Sequence, residues 1–282
     1  MLILAATPIG NLGDASPRLR ETLAAADIIA AEDTRTTGQL LKLLDINHSA
    51  KLVPLHDHNE RQKADELAAA AVTQLVVLVS DAGMPTVSDP GFRVVAAAIA
   101  RDVEISSIPG PSAPVTALAV SGIPTDRWSF EGFVPRKSGD KRKLFASLAN
   151  ETRTMLFFES PHRVHETLQA MQQYFGAERQ AALCRELTKL HEEVIRGTLQ
   201  KLTAATAAGV RGEIVLVVAG ADPQIDTPET ALQRVLERVA SGERVKDATR
   251  AVAATSGIPA RELYAMVTAM KDSARRGALN EK

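Results

Sequence analysis

Up to residue 121 the chain alternates between two hydrophobic periods. Short, mostly apolar runs at 2–6, 28–31, 52–55, 75–79 and 104–108 read as strands. Between them, apolar residues recur three or four positions apart. The first such stretch opens with Ser16-Pro17, a capping residue followed by proline at the first helical position, and continues through Leu19, Leu23 and Ala26. Further helices are predicted over 37–44, 60–72 (with Asn59 as its cap), 94–100 and 113–120. Regular strand–helix alternation predicts an open, mostly parallel sheet covered by helices.

SGIP at 121–124 breaks the pattern, and the chain beyond it has a different character. Strands are predicted at 128–133, 154–158, 181–185, 192–196 and 212–219, with helices at 162–174 and 199–208. Residues 135–143 read as a polar loop carrying Arg136, Lys137, Lys141, Arg142 and Lys143. This is a second α/β layer with more antiparallel character. Residues 220–228, with two prolines and two aspartates, read as a linker. Beyond them only helices are predicted, over 231–239, 245–254 and 261–270, the last two joined by a second SGIP at 256–259. The expected organisation is two α/β domains, 1–121 and 122–222, with a helical extension over 223–282. That extension suits either a capping or dimer-contact bundle or, in outline, a helix-turn-helix.

Composition narrows the partners. Formal net charge is −1, so nucleic acid would need a local basic patch rather than a global field. Aromatic residues are 4% of the chain, which disfavours base stacking as the main binding mode. Cys184 is the only cysteine, which rules out an intrachain disulfide or cysteine-based metal cage and suits a reducing cytoplasm. The first residues lack a positively charged region, and no run approaches the roughly 18 apolar residues of a membrane span, so neither a signal peptide nor a membrane is expected.

Candidate chemistry gathers where predicted strands end. TPIGNLGD (7–14), EDTRTTG (32–38), SDAGMP (80–85) and PGPSA (109–113) each leave the carboxyl end of a strand, where open α/β sheets bind ligands. Glycine permits close backbone approach and proline fixes it, which favours a nucleoside or amino-acid cofactor held by main-chain groups. No G-x-G-x-x-G or Walker A loop is present, which disfavours NAD and ATP. HDHNE (56–60) offers two histidines, His56 and His58, but no third ligand at a familiar spacing, so no metal is expected. Glu32-Asp33-Thr34-Arg35 suits either polar contact to a reacting group or a salt-bridged helix cap. FFESPHR (157–163) and RELTK (185–189) end strands of the second half, and Glu159 and Glu186 there could accept from a ribose or an adenine.

In this order, TPIGNL, AAEDTR, LHDHNE, SDAGMP, PGPSA, FFESPHR, RELTK and GEIVLV resemble the tetrapyrrole methylase superfamily, the class III S-adenosylmethionine-dependent methyltransferases. The resemblance covers about residues 1–220. It is strongest to a branch that methylates the ribose 2′-hydroxyl of a cytidine in the decoding centre of small-subunit ribosomal RNA. It implies two α/β domains with S-adenosylmethionine in the cleft between them, a homodimer, and the small ribosomal subunit or its RNA as partner. By motif, the cofactor contacts would be Pro8, Val79, Asp81, Met84, Ser112, Ala113, Glu159 and Leu187. Enzymes acting on tetrapyrroles usually have an apolar residue in place of Glu159 and Gly-Asp-Pro in place of Ser-Asp-Ala, which argues against a porphyrin-like substrate. A weakly acidic hydroxyl also needs a proton acceptor: Asp33, His56 and His58 are the candidates, with Arg35 and Lys189 to activate the hydroxyl or hold a neighbouring phosphate. The alternatives are a tetrapyrrole methyltransferase and a non-catalytic cofactor-sensing module.

Overall fold

The computed structural model describes residues 1–222 and 227–280, with side chains through residue 270. The middle of the expected linker, 223–226, therefore lies outside the described residues.

The first half runs β1 (Leu2–Ala5), α1 (Pro17–Ala25), β2 (Ile28–Ala31), α2 (Thr34–Leu43), β3 (Lys51–Pro54), α3 (Glu60–Ala70), β4 (Val76–Val79), α4 (Phe92–Ile99), β5 (Ile105–Ile108) and α5 (Ala113–Ser121). All pairings are parallel, in the order β3-β2-β4-β1-β5. β4 is buried at every position because helices cover both of its faces. Successive residues alternate between them. Val77 and Val79 join Leu19, Leu23 and Leu41 of α1 and α2 on one side, and Val76 and Leu78 join Leu67, Val94 and Ala98 of α3 and α4 on the other.

The second half comprises β6 (Trp128–Phe133), α6 (Ser138–Leu148), β7 (Thr154–Glu159), α7 (Val164–Phe175), β8 (Gln180–Arg185), β9 (Glu193–Thr198), α8 (Leu199–Ala205) and β10 (Ile214–Val218). Its sheet order is β6-β7-β10-β8-β9, parallel only between β6 and β7, in line with the expected antiparallel character. One face packs on Phe145, Leu168, Met171 and Leu202 of α6, α7 and α8. The other receives Ala117 and Leu118 of α5, together with Ile9 from the loop after β1. Both sheets belong to one compact unit, Met1–Gly220.

Two local expectations are corrected. Residues 138–148 form α6 rather than part of a polar loop. Phe145 is wholly buried, with Leu144 and Leu148 packed beside it, while Arg142 and Lys143 stay exposed. Asn59 does not cap α3. Its Oδ1 accepts from the His56 amide (2.9 Å) and its Nδ2 donates to the Pro54 carbonyl (3.0 Å), which closes the HDHN turn.

The second unit, Ala221–Lys282, contains α9 (Pro228–Ala240), α10 (Val245–Ser256) and α11 (Ala260–Asn280). Thr227 caps α9 by accepting from the Thr230 amide. Ala231, Val235, Ala248, Val252, Leu263 and Val267 form a core of their own. Among the described residues, no helix is long and apolar enough to cross a membrane.

Candidate active site

The loops after β1, β4 and β5 converge. Thr7 and Gly83 exchange both main-chain bonds, at 2.9 and 3.1 Å, and the Thr7 hydroxyl donates to the Ser80 carbonyl (3.3 Å). Gly83 has φ +83°, and a Cβ there would lie 3.3 Å from the Ile9 side chain and 3.6 Å from the Pro111 carbonyl. Only glycine suits both that dihedral and that crowding. Thr86 (φ 72°) and Ser88 (φ 65°) are also held in the left-handed region. For β-branched Thr86 this is strain of the kind that clusters at ligand sites. At the far end of the loop, buried Glu60 accepts from the Gly91 and Arg93 amides (2.8 and 2.9 Å) and so fixes the start of α4.

The loops line an open cleft of about 100 Å³. Its walls are the central loop from Ala82 to Met84 with Val87 to Asp89, then Ser112, Ala113 and Pro114, and finally Phe133 and Phe158 from the second sheet. Ser112 makes no side-chain bond to the start of α5, which leaves its hydroxyl free.

Carboxylates dominate the electrostatics. Burial pushes Asp89 up to about 7, reinforced by the charges of Glu32, Asp81 and Asp57 and opposed by a bond from Ser80. Glu32 is raised by burial and then by Asp81, Asp57 and Asp33. Asp81 is raised by burial, although the Asp33 amide donates to it at 3.1 Å. Among the described residues, no group of three or more His, Cys, Asp or Glu is placed to hold a metal ion.

Of the predicted cofactor contacts, Met84, Ser112 and Ala113 line the cleft. Asp81 sits exposed beside it in the acidic cluster. Pro8, Val79 and Leu187 are buried behind it, with Leu187 packed on Ile9 and Ala117. The Glu159 carboxylate is not a cleft group. It is sealed inside the second half, accepting from the Ser160 amide (2.6 Å) and the Thr167 hydroxyl (2.7 Å) and pairing with Arg163 (2.5 Å).

The candidate catalytic residues fare differently. Asp33 caps α2 and takes three bonds from Arg35, at 2.8, 3.1 and 2.6 Å. Those bonds hold its carboxyl down at about 2, too acidic for a base near neutral pH. Arg35 is otherwise exposed, with guanidinium donors beyond the two that it gives to Asp33. Lys189 is paired with Glu186 (3.0 Å) and Glu213 (3.1 Å). Its stem packs on the loop after β1, where a Cβ on Gly10 would lie 2.5 Å from Lys189 Cγ. His56 and His58 are exposed, their rings 6.1 Å apart, and neither lines the cleft.

Asp89 and Phe133 belong to the site without having been singled out from the sequence, whereas Glu32 was read there as part of the Glu32–Arg35 cluster. Asp89 lies in the same Gly- and Pro-rich loop as Asp81. Phe133 is signalled by Gly132, a glycine inside a strand, which marks a bulge.

The profile of the tetrapyrrole (corrin/porphyrin) methylases matches residues 1–203. The chain belongs to the tetrapyrrole methylase family. Within it, the chain is 49% identical over 265 residues to the ribosomal RNA small subunit methyltransferase I of Mycobacterium tuberculosis, covering 93% of each chain. It is 44% identical over 270 residues to the protein of that name from Synechocystis, covering 94% of this chain and 96% of the relative. Among solved structures, the methyltransferase CobJ superimposes with a TM-score of 0.59 at 19% identity, covering 78% of this chain and 94% of its own. At that identity CobJ shows that the tetrapyrrole methylase fold is shared.

Proposed function

We propose that this chain is a methyltransferase that moves a methyl group from S-adenosylmethionine to small-subunit ribosomal RNA, on the ribose 2′-hydroxyl of a cytidine in the decoding centre. The observation that carries the reading is the 49% identity over 93% of both chains with a relative of that RNA class. A match of that length takes in most of the helical unit as well as both sheets.

The cleft suits the cofactor chemically. S-adenosylmethionine carries a sulfonium and an ammonium, and Asp81, Asp89 and Glu32 supply the opposite charge. Gly83 keeps the floor of the cleft free of a side chain, and Met84 and Phe158 add apolar surface. Once bound, the cofactor supplies an activated methyl group, which leaves positioning and proton removal to the protein.

For proton removal Asp89 is the better base than Asp33. It lines the cleft, and its carboxyl titrates at about 7, so a carboxylate oxygen can take the 2′-hydroxyl proton near neutral pH. The tied loops hold the cleft open in one shape, and Ser112 offers a hydroxyl to orient what enters. The reading extends to a homodimer in the cytoplasm, supported by the family resemblance and by a single, buried cysteine. Sedimentation at micromolar concentration tests the dimer.

The deciding assay is radiolabelled methyl transfer to small subunits, naked ribosomal RNA and uroporphyrinogen in parallel. Ribose label on subunits or RNA is the expected result. Label on uroporphyrinogen alone, or cofactor binding without transfer to any acceptor, would replace the reading with a tetrapyrrole enzyme or a sensor.

A further inference from the structure

Next to the cleft lies a larger cavity of about 720 Å³. Residues 133–136, at the end of β6 and just beyond it, form one wall, and Ser160, His162 and Arg163, which lead into α7, form the other. Among the described residues, no carboxylate lines it.

Its parts have the chemistry of a nucleotide site. Phe133 is 61% exposed, and its ring is braced by Phe158 at 5.1 Å, which is itself braced by Phe130 at 4.9 Å. The register of β6 on β7 shifts between Phe130 and Phe133, and Gly132 there has φ +70°. A bulge of this kind re-aims a side chain, here at the end of the strand. Arg136 and His162 are exposed, and neither side chain has a hydrogen bond or ion pair among the described residues. Arg163 is used differently. It donates to the Val134 carbonyl (3.2 Å) and pairs with buried Glu159, which fixes the two walls relative to each other. Lys137, Lys141, Arg142 and Lys143 continue the positive charge into α6.

Phe133 lines this cavity and the cofactor cleft alike, so the two adjoin at its ring. We propose that the larger cavity holds the acceptor as a single unstacked ribonucleotide, its base on Phe133 and its phosphate between Arg136 and His162. RNA is favoured over a small aromatic acid because the positive charge runs on along α6, beyond the reach of one small molecule. One platform is enough for one flipped-out base, which reconciles the site with the low aromatic content of the chain. The choice of RNA rests on the methyltransferase reading, but the cavity is tested separately from it.

The test uses the full chain and two readouts: retention of unmethylated small ribosomal subunits on a filter across a salt series, and methyl transfer to them. Phe133→Ala is expected to weaken subunit binding about tenfold, with Phe133→Tyr restoring it. Arg136→Glu is expected to weaken binding and to lower the slope of log affinity against log salt by about one. Calorimetry with S-adenosylmethionine should give Arg136→Glu the cofactor affinity of wild type. Subunit binding by Phe133→Ala and Arg136→Glu equal to wild type overturns the proposal, whatever happens to transfer. Wild type that binds subunits but methylates nothing, with both variants binding weakly, would sink the methyltransferase reading and support the cavity.

Discussion

Asp89→Asn tests the electrostatics of the cleft with a change of almost no volume. An aspartate titrates near 3.8 in the unfolded chain and at about 7 in this site. At about 1.4 kcal/mol per unit, the unscreened cost of the folded carboxylate is about 4 kcal/mol. The side chain stays partly open to water, and screening brings the expected figure to about 1–2 kcal/mol. The sign follows from proton binding. The folded state holds this proton more tightly than the unfolded state does, so stability is full below about pH 3.8 and falls as pH rises to about 7, then levels off. Asparagine removes that loss. Urea denaturation of wild type and variant from pH 4 to 8 should show a small gap at pH 4 that widens in favour of the variant up to pH 7. Methyl transfer by the variant should fall about 10²- to 10⁴-fold at saturating cofactor if Asp89 takes the ribose proton. A gap that does not change with pH, or a variant less stable than wild type at pH 8, refutes the charge argument. Transfer at the wild-type rate refutes the base assignment alone.

Binding of cationic S-adenosylmethionine beside Asp89 should lower its pKa and release a proton near pH 7, seen as a buffer-dependent heat in calorimetry that Asp89→Asn abolishes. Gly83→Ala places a side chain at φ +83° against Ile9 and the Pro111 carbonyl, and should reduce cofactor affinity about 5- to 150-fold through loop strain of about 1–3 kcal/mol, measured by calorimetry. Glu159→Gln leaves Arg163 without its buried partner and should destabilise the protein by about 3 kcal/mol in urea, with cofactor affinity close to wild type because the carboxylate does not face the cleft.

The strands of the first sheet were legible because a parallel strand covered on both sides must be apolar throughout, as VVLV of β4 is. α6 was obscured because Lys141, Arg142 and Lys143 outweigh the helical spacing of Leu144, Phe145 and Leu148 that anchors it. The four loops could be read from glycine and proline, whose conformational constraints are local. Which side chains face the cleft could not, since that depends on strand parity and on charges far apart in sequence. Phe158 turns toward the cleft, and Glu159, one residue on, turns to the opposite face of β7 and into the second half. The choice between Asp33 and Asp89 is of the same kind. Asp33 meets a neighbour two residues away in Arg35, whereas Asp89 is raised by burial and then by Glu32, brought to it from another strand end.

The placement of α5 bears on how the chain matures. It comes after the last strand of the first sheet, yet Ala117 and Leu118 pack on Leu156, Ala182, Cys184 and Val217 of the second. During synthesis this helix emerges with its apolar stripe unmatched, because β7, β8 and β10 are still to come. A fragment ending at Ser121 would carry that stripe into water and tend to aggregate. The two sheets should therefore be acquired, and lost, in a single cooperative step, with α5 as the joint that neither half can complete alone.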